Sequence, residues 1–273
     1  MAVVAISRQV AALGDEVADA LSKQLGYTFH GRKYIEKRIV ELGFPAEKLE
    51  KYDERKPGFF ASLAKDRDGY LNYMRTAILE AASQGNCVLI GRGTFVVLEN
   101  IPNLVAVRFV SDDAVRVRRL MTEFNWNEKQ ALQRIKESDA NRLGFHQNFF
   151  NIVNEDPAHY QLTINTARVS LENTVDLIST FLKNSITDEK ETAGNKLIAE
   201  MYRAQLLVNE LFFTQKLNIN FLQAAFKDDA FVLQGVTDSA ATVEKALSVA
   251  SSIITDKPVR SDISIVQNFK PYV

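Results

Sequence analysis

The sequence predicts an α/β fold, three layers around a parallel sheet, followed by a second, smaller α+β unit in the order αββαβ. Three observations carry this. Short apolar runs at Ala2-Val3-Val4-Ala5-Ile6, Asn86-Cys87-Val88-Leu89-Ile90 and residues 104–110 alternate with helical patterns, and strands alternating with helices imply right-handed crossovers and parallel pairing. The first run passes through a short turn directly into a helix with Val17, Leu21 and Leu25 four apart. Beyond residue 195 the alternation gives way to one helix, two strands, another helix and a last strand.

Taken in order, Gly26-Tyr27-Thr28-Phe29-His30-Gly31 reads as a turn and a short extended piece, and residues 32–42 as a helix of mixed charge. Gly43, Pro45, Pro57 and Gly58 then break the chain repeatedly around the charged stretch 48–55, which reads as an excursion from the core. A helix over about 68–84 leads to the strand at 86–90, closed by Gly91-Arg92-Gly93. After the strand at 104–110, Ser111-Asp112-Asp113 is placed to cap a helix carrying Arg116, Arg118 and Arg119. Residues 125–160 form a second polar, helical excursion with an aromatic knot at Phe145-His146-Gln147-Asn148-Phe149-Phe150. Gln161-Leu162-Thr163-Ile164 resumes the sheet, and 170–182 supplies its last helix.

The polar run 185–195 reads as a linker or a loose helix start, dividing the chain into domains at 1–184 and 195–273. In the second, Leu197, Met201, Ala204, Val208 and Leu211 make one helical stripe and Val243, Leu247, Ala250 and Ile254 another. Strands fall on both sides of the Lys227-Asp228-Asp229 turn and near 263–266.

A chain of 273 residues with 46% hydrophobic and 25% charged residues can bury a full core and suits two domains. A net charge of −1 gives no support to a nucleic-acid partner or an anionic membrane surface. The single cysteine, Cys87, excludes an internal disulfide and a cysteine-based metal cage and suits a reducing compartment. No apolar run approaches the roughly 18 residues of a membrane span, and the N-terminus enters a strand without a basic leader. The cytoplasm, with no integral membrane association, is therefore expected.

Strand, turn and helix at the start have the layout of an anion site, where first-turn amides and the helix dipole converge. The lysine and hydroxyl of the G-x-x-x-x-G-K-[ST] loop are missing between Arg8 and Asp15. Gly91-Arg92-Gly93 lies at a strand's C-terminal end, where ligands of open α/β sheets gather, and Arg92 could supply a bidentate fork. Arg116 and Arg119 share a helical face, and Arg134, Lys136 and Arg142 follow; clustered arginines suit a transferring phosphoryl group, although a charge run also suits a solvated face. His30, His146 and His159 show no ligand spacing and read as structural, so no metal site is expected from the protein alone.

Together these pieces resemble the cytidylate kinase-like family, relatives of the P-loop nucleoside monophosphate kinases, over roughly residues 2–183. The likeness rests on Ile6-Ser7-Arg8-Gln9 with Gly14, Leu25-Gly26-Tyr27-Thr28-Phe29, Ile90-Gly91-Arg92-Gly93, Asp156-Pro157-Ala158-His159-Tyr160 and Leu162-Thr163-Ile164-Asn165-Thr166. It implies ATP-dependent phosphoryl transfer to a nucleoside monophosphate or related small acceptor, with ATP and Mg²⁺ as cofactors. It implies that Ser7, Arg8, Gly14 and Asp15 hold the donor, that Gly91, Arg92 and Gly93 hold the acceptor phosphate, and that Arg118, Arg119, Asp139 and Arg142 form the catalytic lid. Where the family's loop ends Gly-Ser-Gly-Gly, this chain has Ala11-Ala12-Leu13-Gly14, and two Cβ atoms replace glycines in an anion nest. That departure predicts weak donor binding and keeps open a second reading, a nucleotide- or solute-sensing protein with the C-terminal unit as its output. The last residues resemble a BON domain over Phe231-Val232-Leu233-Gln234-Gly235-Val236-Thr237-Asp238-Ser239, implying a lipid-surface or small-solute ligand. The rival is an unrelated αββαβ unit that forms a homodimer.

Overall fold

The computed structural model describes residues 2–49, 52 and 64–267. β1 (Val3–Arg8) is apolar throughout because both its faces are covered: Val3 and Ala5 join one buried cluster, Val4 and Ile6 the other. α1 (Gly14–Leu25), β2 (Thr28–His30), α2 (Arg32–Glu41), α3 (Ala46–Leu49), α4 (Ala64–Ser83), β3 (Cys87–Ile90), α5 (Thr94–Val97) and β4 (Leu104–Val110) follow in turn. α6 (Asp113–Phe124), α7 (Glu128–Phe150), a 3₁₀ turn at Pro157–His159, β5 (Leu162–Asn165) and α8 (Leu171–Ser185) complete the first unit. Its five strands are all parallel in the order β2-β3-β1-β4-β5. Val17 and Leu21 of α1 and Val175, Ile178 and Leu182 of α8 cover one face; Ile35, Ile39, Tyr70, Met74 and Ile78 of α2 and α4 cover the other.

The second excursion is mostly α7, started by a reciprocal capping box between Asn127 and Gln130. Asp112 stands at the N-cap of α6 but makes no capping bond; its carboxylate instead accepts from Asn165 and pairs with Arg168 at 3.0 Å. Of the charged stretch 48–55, only Lys48, Leu49 and Tyr52 are among the described residues, and Pro57-Gly58 lies outside them.

α9 (Asp188–Asn209), a π-helical turn at Glu210–Thr214, β6 (Asn220–Lys227), β7 (Ala230–Thr237), α10 (Ala240–Ile253) and β8 (Val259–Ile265) give the expected αββαβ order. The sheet order is β6-β7-β8, antiparallel then parallel. Asp228 and Asp229 both take left-handed backbone (φ 50° and 55°), which matches a two-residue hairpin turn to the strand twist.

Of the two readings of the run 185–195, the helix start is the one observed: the chain is helical from Asp188 onward, with Thr187 Oγ1 accepting from the Lys190 amide, because the polar residues are the N-cap and solvated first turns of α9. The stripe on α9 also divides: Leu197, Ile198 and Met201 pack on the core of the first unit, while Ala204, Val208 and Leu211 pack under β6 and β7. α9 therefore belongs to both cores. Gln205 and Asn209 donate to Asn72 and Thr76 of α4, Tyr73 stacks on Phe213 at 4.3 Å, and a Cβ on Gly194 would lie 1.9 Å from Asn103 Oδ1.

Candidate functional site

The order of strands reverses at β1, which has β3 on one side and β4 on the other, and ligands of open α/β sheets gather outside the C-terminal strand ends at such a point. The connection from β1 to α1 is held from beneath. Arg116 Nε donates to the Val10 carbonyl at 3.0 Å, Arg119 to that of Ala11 at 2.9 Å, and Thr166 Oγ1 to that of Ala12 at 3.1 Å. With three successive carbonyls taken on one side, the amides of Leu13, Gly14, Asp15 and Glu16 have no acceptor among the described residues. These are the orphan donors of a helix start, at the positive end of its dipole. Ala11 and Leu13 both adopt left-handed backbone, φ 57° and 58°. They occupy the positions where the family's loop has glycine, and each L-residue there costs roughly 1–2 kcal/mol. Apolar packing holds them in place: Ala11 touches the Val117–Leu120 cluster and Leu13 the cluster beneath α1.

Arg8 is buried at the end of β1 and its Cγ lies 2.7 Å from where a Cβ on Gly14 would be, so the side chain crosses the start of α1 against that glycine. Its Nε is 4.0 Å from the exposed carboxylate of Asp15. Ser7 Oγ accepts from Arg108 at 3.2 Å, one strand away.

Arg92 is completely buried, and Gly91, Arg92 and Gly93 form three successive left-handed residues (φ 81°, 55° and 68°). That turn aims the guanidinium inward, where it donates to the Glu36 carboxylate, to Tyr70 Oη at 2.7 Å and to the Tyr52 carbonyl at 3.2 Å. Tyr52 and Tyr70 stack at 4.9 Å with Phe149 against Tyr70, and Phe150 covers Gly93, its ring 2.4 Å from where a Cβ would stand. The aromatic knot at the end of α7 thus packs directly on the glycine-arginine turn.

The lid residues separate into braces and a free cation. Arg119 spends its fork on Ala11, Ser111 and Thr166, and burial lowers its pKa below the ordinary arginine value. Both carboxylate oxygens of Asp139 accept from the single Nη2 of buried Arg116, at 2.8 and 2.9 Å, which ties α7 to α6 and through Arg116 Nε to the loop. Arg142 donates to Ser138 Oγ at 2.5 Å. Arg118 is exposed and pairs with no carboxylate among the described residues.

The helical face that the sequence predicts Arg116 and Arg119 to share is the loop side of α6, and Arg116 has there a bracing role that its letters did not assign. Arg108 lies buried in β4 beside Ser7 and 5.9 Å from the Tyr160 ring, with Glu155 at 3.8 Å. The signal for it was a charge within an otherwise apolar strand. Burial raises the Tyr160 pKa above its ordinary value, and its hydroxyl donates to the Asn154 carbonyl at 2.8 Å. The described residues contain no cluster of three or more metal-ligating side chains, and no helix among them is long and apolar enough to cross a membrane.

The profile of the cytidylate kinase-like family matches residues 3–168. A cytidylate kinase from Methanocaldococcus jannaschii is 26% identical over 146 residues, 53% of this chain and 76% of that protein. Among solved structures, an uncharacterized protein from Eubacterium ventriosum superposes with a TM-score of 0.53 at 19% identity, covering 67% of this chain and 99% of its own. Shikimate kinase from Bacteroides thetaiotaomicron aligns at 14% identity and a TM-score of 0.42, over 67% of this chain and 98% of its own. The five-stranded parallel unit is P-loop kinase-like, and the three-stranded mixed sheet with its helices is an addition at the C-terminal side.

Proposed function

Because the chain belongs to the cytidylate kinase-like family, we propose that its first unit is a cytoplasmic phosphotransferase that moves a phosphoryl group from ATP to a nucleoside monophosphate or related small acceptor. The observation that carries this reading is the two-sided loop, with its carbonyls engaged by Arg116, Arg119 and Thr166 and four amides at the start of α1 left for an anion. Those amides and Arg8 would hold the donor phosphates, with Ser7 and Asp15 at the loop's mouth. Arg118 is the cation able to swing onto charge developing in transfer, and Arg142 stands one turn beyond Asp139 on α7. Mg²⁺ fits as a companion of the nucleotide, held by phosphates, water and Asp15 rather than by a protein cage, and would neutralise charge on the phosphates. Arg119, Arg116 and Asp139 act by positioning: they set the loop that meets the donor.

A specific observation favours a second reading, a non-catalytic nucleotide sensor. The fork of Arg92 is engaged by Glu36, Tyr70 and Tyr52, and Phe150 covers Gly93, so the acceptor side must open before Arg92 can take a phosphate. Phosphorus NMR of the chain with ATP, Mg²⁺ and CMP tests both. Appearance of ADP and CDP supports the transferase; ATP binding without transfer to any nucleoside monophosphate supports the sensor. For the C-terminal unit we propose a BON-like module, on its Phe231–Ser239 likeness, with a homodimer through that unit as the rival reading.

A further inference from the structure

Between α4, α5, α9 and β6 lies a cleft of about 310 Å³. Its walls are mixed: Leu79, Val97, Phe150, Met201 and Phe226 make an apolar side drawn from both units, and Gln205 and Gln223 a polar one. Into it comes a single cation from α4, Arg75, which also lines an adjoining recess of about 100 Å³. Arg75 is partly buried and makes no hydrogen bond or ion pair among the described residues, in contrast to the braced arginines at 92, 116 and 119. Asp68, two turns earlier on α4, acts on it only at a distance, and Arg67 rather than Arg75 is its neighbour at 3.9 Å. Gln223 borders both cavities.

A guanidinium without a partner in a half-apolar enclosure is costly unless a ligand completes it. Burial holds the Arg75 pKa below the ordinary arginine value, and Asp68 offsets this only in part. The volume is at the small end of ligand pockets and, at roughly 30 Å³ per non-hydrogen atom, admits about ten of them, with room for about three more where Arg75 opens on the adjoining recess of about 100 Å³. We propose that this cleft is a binding site for a small amphipathic anion, its carboxylate or phosphate on the Arg75 fork and an apolar chain of medium length along Leu79, Met201 and Phe226. The site is distinct from the loop after β1 and does not depend on phosphoryl transfer there.

Calorimetric titration of the full chain with sodium octanoate, octyl phosphate, 1-octanol and inorganic phosphate tests it, all below micelle-forming concentration. Octanoate or octyl phosphate should bind at one site, the tighter of the two identifying the head group. Octanol and inorganic phosphate should each be weaker by about tenfold or more, since each keeps only half of the recognition. Arg75→Met should weaken the anion by about tenfold or more, and Arg75→Lys, which keeps the charge but not the planar fork, should fall between Arg75→Met and the parent. Ala225→Trp, which fills the cleft from an exposed position on β6, should abolish binding without lowering the melting temperature. Octanol binding as tightly as octanoate and octyl phosphate would overturn the anion, inorganic phosphate binding as tightly would overturn the apolar wall, and indifference to Ala225→Trp would overturn the location. Absence of binding by both amphiphiles at millimolar concentration overturns the proposal outright, and the unmodified chain alone decides that.

Discussion

Replacing Arg92 by Met should cost about 3 kcal/mol of stability. The guanidinium is wholly buried and donates to a carboxylate, a phenol and a carbonyl, so Met takes one donor each from Tyr70 Oη, the Tyr52 carbonyl and Glu36. Breaking one side of a buried pair costs roughly 3–5 kcal/mol. The lower end applies because Glu36 keeps Arg32 at 2.6 Å and its side chain is 19% exposed. At roughly 2–4 °C per kcal/mol for a chain of this size, the midpoint should fall by about 6–12 °C. Lys keeps a charge opposite Glu36 but cannot satisfy Tyr70 and Tyr52 with a planar fork, so Arg92→Lys should lose about half as much. Scanning calorimetry of Arg92→Met, Glu36→Gln and the double variant measures this, and the double variant should be better than additive by about 1 kcal/mol or more. An Arg92→Met protein within about 1 kcal/mol of the parent would refute the structural role and leave the side chain to a ligand alone.

Ala11→Gly relieves a left-handed backbone worth roughly 1–2 kcal/mol and returns about 0.5–1 kcal/mol to the unfolded chain, so stability should hold or rise slightly and ATP should bind more tightly; weaker ATP binding in the folded variant would contradict this. His30 is buried with neither ring nitrogen bonded among the described residues, and burial holds its pKa below the ordinary value. The unfolded chain therefore takes the proton first. The stability His30 contributes is present above the unfolded pKa of about 6.5 and is lost progressively as pH falls from there through the lower folded value, and His30→Phe should flatten the slope of midpoint against pH below about 6.5. Gly194→Ala drives a Cβ onto Asn103 and should cost roughly 1–3 kcal/mol. Because α9 belongs to both cores, we expect one shared melting transition to move; two separate transitions would instead support independent units.

The parallel sheet was legible because its strands are buried on both faces and read as continuous apolar runs, as at 3–6 and 87–90. The αββαβ unit was legible from its turn chemistry at Asp228-Asp229 and from the alternation around it. The role of α9 was not. A helix buried on two sides shows a stripe that sequence alone assigns to one core, and a solvated N-terminal turn looks like a linker. At the site, the departure from glycine at 11 and 13 was legible, but not that Ala11 and Leu13 would still adopt left-handed backbone. What the sequence could not convey was which arginines are spent. Arg92, Arg116, Arg118 and Arg119 look alike in a chain of letters, yet burial and partners separate three braces from one exposed cation.

The most direct measurement is a calorimetric titration of ATP into the full chain in the presence of Mg²⁺. The two-sided loop predicts one site, weaker than that of a loop with glycine at 11 and 13, and strengthened by Ala11→Gly. Absence of ATP binding at millimolar concentration in both proteins would contradict it, because the four open amides at the start of α1 would then not be an anion site.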